Sequence, residues 1–103
     1  MSVINVTKAN FEAEVLKSDV PVLADFNAGW CGPCRAMKPM LDELAEGNTA
    51  YKIVSIDIDE EDELADEYDV SSIPCLVVFK GGEEVNRSVG LIPKEAIADL
   101  VEG

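Results

Sequence analysis

Two cysteines separated by two residues, Cys31 and Cys34, are the side chains in this 103-residue chain whose spacing most directly implies chemistry. The apolar run 22–26 precedes them, and apolar residues recur behind them at helical spacing over 37–45. The pair therefore lies where a strand ends and a helix begins. Unpaired amides and the helix dipole at that point favour a thiolate, which lowers its pKa and raises its reactivity. We predict a redox-active dithiol.

The residues between the cysteines fit the first turn of a helix. Gly32 tolerates an unusual backbone, and Pro33 has no N–H to leave unpaired. A Cys-x-x-Cys pair can instead supply half of a zinc site, which needs four ligands. The chain has three cysteines and no histidine. These counts disfavour a zinc site made of protein ligands alone, and no metal site is predicted.

Composition narrows the class of protein. The net charge of −13, from 21 acidic against 8 basic residues, disfavours binding to nucleic acid or anionic membranes. Three cysteines are too few for the disulfide framework of a small secreted domain. There is no signal-like segment and no apolar run near the ~20 residues that span a bilayer. We expect one soluble, cytoplasmic domain, residues 1–103.

Much of the negative charge lies between Asp57 and Asp69. A cation site there is conceivable, but the segment lacks the spacing and the glycine of a calcium loop. A solvated acidic helix face is the preferred interpretation.

The order of patterns along the chain predicts β-α-β-α-β-α-β-β-α, with helices on both faces of one sheet. Asn10, or failing that Thr7, is the predicted cap of the first helix. Pro39 is expected to kink the second helix, and Pro93 to open the last. Predicted strands cover residues 3–6, 22–26, 51–58, 75–79 and 84–89, and the second helix runs from about Cys34 to Glu46.

These features together resemble the thioredoxin family over nearly the whole chain. The resemblance implies an α/β thioredoxin-like fold, with a central five-stranded mixed sheet flanked by four helices. Gly-Pro between the cysteines is typical of reducing members, whereas glutaredoxins usually carry Pro-Tyr there. The matching motifs are Asp25-Phe26, Trp30-Cys31-Gly32-Pro33-Cys34-Arg35, Pro39, Asp57-x-Asp59, Ile73-Pro74, Phe79-Lys80-Gly81-Gly82 and Gly90.

The resemblance also implies how the thiols divide their work. Cys31 is the exposed nucleophile that forms a mixed disulfide with a target. Cys34, one turn deeper, is the resolving thiol, and Gly32 and Pro33 tune the redox potential. Asp25 lies under the pair and accepts the proton of Cys34, because a buried carboxylate has a raised pKa. Asp25 could instead be a hydrogen-bonded core acid.

A contact surface for target proteins is implied as well. Pro74 is expected to be cis and to hold its loop against the cysteines, so that neighbouring backbone pairs with the target. Trp30, Ile73 and Gly90 line the apolar part of this surface. An ordinary trans bond at Pro74 and plain packing of Trp30 are the alternatives.

The implied activity is general protein-disulfide reduction. Electrons pass from a thioredoxin reductase, dependent on NADPH or ferredoxin, to disulfide-bearing proteins, and no bound cofactor is needed because the cysteines carry the electrons. A monomer is expected. The alternatives are a non-catalytic adaptor subunit and a disulfide oxidase or isomerase.

Three positions depart from the family pattern. Asn27 replaces a common tryptophan, which puts the rigidity of the active-site loop in doubt. Ser55 replaces a common lysine, so Asp25 lacks a cation and its pKa should be higher than in relatives with the lysine. Cys75 replaces a common threonine. It is either a small packed residue or a third thiol open to oxidation, glutathionylation or a shared metal.

Overall fold

The computed structural model describes residues 2–103. Five strands form one sheet in the order β1-β3-β2-β4-β5. β1 and β2 pair with β3 in parallel, while β2–β4 and β4–β5 are antiparallel, which confirms the predicted mixed sheet. The strands are β1 (Ile4–Asn5), β2 (Val22–Asn27), β3 (Lys52–Asp57), β4 (Cys75–Lys80) and β5 (Glu83–Val89).

Four helices flank the sheet, as expected. The motif helix begins at Gly32, two residues before the predicted start, and runs through Pro39 to Glu46. The kink expected at Pro39 stays a prediction. Pro93 is the N-cap residue of the last helix and lies immediately before its first turn. The helices are a short π-helix (Glu12–Leu16), α1 (Gly32–Glu46), α2 (Asp62–Glu67) and α3 (Lys94–Glu102).

The predicted capping of the first helix by Asn10 is wrong. Its side-chain oxygen accepts a hydrogen bond from the Thr7 amide at 2.7 Å, which closes the turn before the helix. Phe11 occupies the cap position, and no side chain caps this end. The helix is also wound more widely than an α-helix, with the Lys17 amide bonded to the Glu12 carbonyl.

Both faces of the sheet are covered, which explains the continuous apolar run of β2. α1 and α3 pack on one face, where Leu23 points, and the π-helix and α2 pack on the other, where Phe26 points. Asp25 has the same strand parity as Leu23 and therefore faces α1. Successive residues of β2 thus deliver a carboxylate to one side of the sheet and an aromatic ring to the other.

The acidic segment after β3 forms α2 and its flanking turns. Its apolar residues Leu64 and Ala65 are buried. Its acidic side chains face solvent at Asp59, Glu60, Asp62, Glu63, Asp66, Glu67 and Asp69. Over residues 2–103, none of the helices has the length and apolar character needed to cross a membrane.

Candidate functional site

The two cysteines meet at the start of α1. They form a disulfide, with their Cα atoms 5.2 Å apart. Cys31 is the N-cap residue, and its Sγ accepts a hydrogen bond from the Cys34 amide at 3.2 Å. That amide is one of the donors that a helix start leaves unpaired. The sulfur of Cys31 therefore receives both an N–H and the positive end of the helix dipole, an arrangement that stabilises an anionic sulfur.

The first turn of α1 adds no opposing charge. It contains no acidic residue, although the chain as a whole carries a net charge of −13. The guanidinium of Arg35 donates to the Gly29 carbonyl at 2.8 Å and so ties the loop before the cysteines to the helix. The amide of Cys31 bonds to the Ala28 carbonyl at 3.2 Å. The loop is thus held at both ends.

The expectation that Cys31 is the exposed member of the pair is wrong for the oxidised protein. Cys31 is 5% exposed and Cys34 is 6% exposed. Ala28 is buried with the two cysteines, and the partly buried Ile58 and Ile73 pack against them, which accounts for the low exposure. Accessibility therefore does not separate the two thiols, whereas the hydrogen bond to Cys31 Sγ does.

Asp25 is the one charged residue buried among residues 2–103, at 6% exposure. Its Oδ1 atom has no hydrogen-bond partner within the described chain. Burial raises the pKa of this carboxyl to about 7, and a hydrogen bond from Asn27 opposes that shift. A carboxyl that titrates near neutral pH can take up and release a proton during a reaction.

Two of the three residues that depart from the family pattern, Asn27 and Ser55, contact each other beside Asp25. The side-chain amide of Asn27 donates to Oδ2 of Asp25 at 3.2 Å and to Oγ of Ser55 at 2.8 Å. Ser55 is the register partner of Asp25 on β3. Sequence reasoning treated Asn27 as a lost aromatic contact and missed this polar role. To predict this role, one would need to know that Ser55 lies opposite Asp25 on the neighbouring strand, and the sequence alone does not give that pairing.

A cleft of about 490 Å³ opens beside the buried carboxyl. Asp25 and Cys34 both line it, whereas Cys31 does not. Trp30, Ile73 and Pro74 also lie outside its lining. The carboxyl and the second thiol therefore share a cavity distinct from the surface expected to receive targets.

Trp30 is 67% exposed, so plain packing does not explain it. Its indole Nε1 donates to Oδ2 of Asp59 at 2.9 Å. The amide of Asp59 in turn bonds to Oδ1 of Asp57 at 2.9 Å. The Asp57-x-Asp59 motif thus holds an exposed aromatic ring beside the dithiol, a role that the sequence analysis did not assign.

The Ile73–Pro74 peptide bond is cis, as the resemblance implies. The Pro74 carbonyl accepts from the Gly90 amide at 2.8 Å, which joins two segments that sequence reasoning placed on one surface. Gly90 has φ of +98°, a conformation that favours glycine. Val89 and Leu91 flank it and are 56% and 48% exposed. These two apolar side chains were missed, because strand patterning alone does not show which edge residues stay uncovered.

Cys75 lies on the opposite face of the sheet from Asp25. It is 1% exposed and belongs to the core cluster that contains Phe26, its register partner on β2. Burial raises the pKa of its thiol. Among residues 2–103 no three metal-ligating side chains cluster together. The environment of Cys75 is that of a packed core residue.

Comparisons with known proteins agree with this geometry. A profile described as Thioredoxin matches residues 2–103. A thioredoxin from Bacillus subtilis (strain 168) is 50% identical over 102 residues, covering 98% of this chain and 96% of the relative. One from Pyropia yezoensis is 46% identical over 102 residues, covering 98% and 95%. A solved mutant thioredoxin from Halobacterium salinarum NRC-1 has a TM-score of 0.90 at 39% identity, covering 98% of this chain and 88% of that one.

These similarities extend over nearly the whole chain and include the fold as well as the sequence. A disulfide-forming Cys-x-x-Cys pair lies at the start of α1. The chain therefore belongs to the thioredoxin family and is a protein-disulfide reductase that acts through Cys31 and Cys34.

Proposed function

We propose that Cys31 is the attacking thiol. As a thiolate, its Sγ attacks one sulfur of a target disulfide, a bond forms between Cys31 and the target, and the other target sulfur leaves as a thiolate. The observation that carries this assignment is the hydrogen bond from the Cys34 amide to Cys31 Sγ, at the start of α1. Cys34 lies within the helix, and no comparable contact is seen at its sulfur in the described residues.

Cys34 completes the reaction as the resolving thiol. It loses its proton to Asp25 and attacks Cys31 Sγ, so the Cys31–Cys34 bond forms and the bond to the target breaks. The target leaves with two electrons and its sulfurs reduced, and the protein is left oxidised. The shared cleft and the carboxyl pKa of about 7 support Asp25 as this base. Gly32 and Pro33 fix the spacing of the two sulfurs and thereby tune the potential.

Targets dock on the surface formed by Trp30, Ile73, Pro74 and Gly90. Trp30 presents an exposed aromatic face, and Ile73 packs directly on the cysteine pair. The backbone beside Pro74 is placed to pair with an extended segment of the target. Apolar contact and backbone pairing together recognise an extended segment with little dependence on its side-chain sequence. Such recognition suits a general reductase.

The partners and setting follow from the chemistry. A thioredoxin reductase, drawing on NADPH or on ferredoxin, returns the oxidised pair to the dithiol, and no bound cofactor takes part. We propose that residues 1–103 act as one monomeric domain. We place it in the cytoplasm, because three cysteines are too few for the disulfide framework of a small secreted domain.

The test is reduction of disulfide-bonded insulin with a thioredoxin reductase and its electron donor. The wild-type protein is expected to reduce insulin over many turnovers. The variant that combines Cys31→Ser with Cys34→Ser is expected to have no activity, while Cys75→Ala retains it as the matched control. Full insulin reduction by the double variant would overturn the proposal, because the reaction would then not depend on the dithiol; an adaptor role, by contrast, would survive the loss of both thiols. A reduction potential near those of strong oxidants would instead indicate an oxidase.

A further inference from the structure

The side-chain amide of Asn27 contacts Asp25 twice. It donates to the Asp25 backbone carbonyl at 2.9 Å and to the carboxyl Oδ2 at 3.2 Å. The third acceptor of the same amide is Ser55 Oγ at 2.8 Å. A backbone carbonyl can only accept, so the NH₂ group of Asn27, and not its oxygen, must face Asp25.

These contacts make the two oxygens of the Asp25 carboxyl different from each other. Oδ2 accepts from Asn27, whereas Oδ1 has no partner within residues 2–103. Asp25 is only 6% exposed, so bulk water reaches the group poorly. A single neutral donor therefore determines which oxygen of Asp25 is occupied and which remains free, in a residue that lines the same cleft as Cys34.

We propose that Asn27 is a positioning residue for release of the target. Its amide holds Oδ2 of Asp25 and leaves Oδ1 free to accept the proton of Cys34. Ser55 fixes the amide from the neighbouring strand. This inference rests on the proposed role of Asp25 as the base.

The choice of a neutral donor has a chemical consequence. A hydrogen bond to the charged form stabilises the carboxylate, but less than a nearby cation does. Burial raises the pKa of Asp25 and Asn27 lowers it, which leaves the value at about 7. The carboxyl thus stays able both to accept a proton and to release it near neutral pH.

Other ionisable groups surround Asp25, yet burial and the Asn27 bond remain the resolved causes of its shift. The guanidinium of Arg35 is engaged with the Gly29 carbonyl. Cys75 lies on the opposite face of β4. The ionisable groups on the packed elements are Cys34, Arg35, Lys38 and Asp42 of α1, Asp57 of β3 and Cys75 of β4.

The first measurement follows the Asp25 carboxyl by carbon-detected NMR across pH in the oxidised protein. Asn27→Leu keeps the number and branching of the side-chain heavy atoms and removes the donor, whereas a smaller residue would admit water and blur the result. We expect the Asp25 midpoint to rise by about one pH unit. The matched control is Asn86→Leu on β5, whose amide bonds instead to the Leu100 carbonyl, and it should keep the wild-type midpoint.

The second measurement is the pH profile of target release in single-turnover reduction of insulin. Asn27→Leu is expected to slow release about tenfold at pH 6 and to leave it nearly unchanged at pH 9, because only the ionised carboxyl accepts a proton. First attack by Cys31 should keep its wild-type profile. A residue with a purely structural role would slow release equally at both pH values.

An unchanged or lowered Asp25 midpoint in Asn27→Leu would overturn the proposal. If that variant fails to fold, Asn27→Ala decides, with a smaller rise expected because water enters. A raised midpoint without any change in the release profile would overturn the role of Asp25 as base, and with it that of Asn27. Failure of the wild-type protein to reduce insulin would instead overturn the proposed function, and the NMR titration would still report on the contact.

Discussion

Cys31 and Cys75 show how the same side chain is made reactive or inert by its surroundings. Exposure does not distinguish them, since both are buried in the oxidised protein, at 5% and 1%. Cys31 caps a helix and accepts an amide hydrogen bond, whereas Cys75 lies among apolar residues on the other face of the sheet. Burial is the largest of the causes that raise the pKa of Cys75. Backbone donors, and not accessibility, therefore distinguish the sulfur of Cys31 from that of Cys75.

The largest effect is expected when one cysteine of the dithiol is replaced. Cys34→Ser should trap target proteins covalently on Cys31, because the mixed disulfide forms and no second thiol resolves it. Cys31→Ser should trap none. Non-reducing gels after incubation with an oxidised target measure both results. Equal trapping by the two variants would mean that the helix start does not select the attacking sulfur.

Alkylation of the native, oxidised protein tests the other half of the comparison. Cys75 is expected to react with iodoacetamide at least about a thousandfold more slowly than in denaturant, because the reagent reaches it only after the fold opens. Mass spectrometry of the labelled peptide follows the reaction. Rapid labelling under native conditions would revive the hypothesis of a regulatory third thiol.

Asp25 is expected to make stability depend on pH. Its folded-state pKa is raised from 3.8 to about 7, so the neutral form is favoured in the fold. The unfolded chain releases this proton first, and stability therefore falls as pH rises from about 4 to about 7, by up to about 4 kcal/mol. Denaturant unfolding of oxidised wild-type protein and Asp25→Asn, compared at both pH values, measures the loss. Parallel pH dependences in the two proteins would contradict the burial argument.

The smallest effect is expected at Cys75. Cys75→Ala removes one buried sulfur from a packed site and should lower the free energy of unfolding by about 1–2 kcal/mol. Insulin reduction should stay at the wild-type rate, since Cys75 is not part of the buried cluster formed by Ala28, Cys31 and Cys34. A clear loss of activity without further loss of stability would show that the two faces of the sheet are functionally coupled.

Sequence reasoning predicted the elements and the location of the dithiol, because these depend on local patterns. The apolar run of β2 and the helical spacing after Cys34 are both readable along the chain. The start of α1 was placed two residues late, since Gly32 and Pro33 are weak helix formers that fit only a first turn. The Asn10 cap failed because its oxygen closes a local turn instead.

The parts of the site that were missed depend on register and packing. Nothing along the chain shows that Ser55 lies opposite Asp25 or that the Asn27 amide spans both. The burial of Cys31 likewise arises from Ile58 and Ile73, which approach from distant segments. Local patterns identify the groups that carry chemistry, whereas cross-strand neighbours set how those groups behave.

The most direct test of the central claim is the pH at which the Cys31 thiol ionises in the reduced protein. The rate of its alkylation against pH, followed peptide by peptide in mass spectrometry, gives this midpoint, with free cysteine as the reference. The account predicts a midpoint clearly below the ~8.5 of free cysteine. A midpoint at or above that value would contradict it, since the helix start would then confer no advantage on the sulfur that caps it.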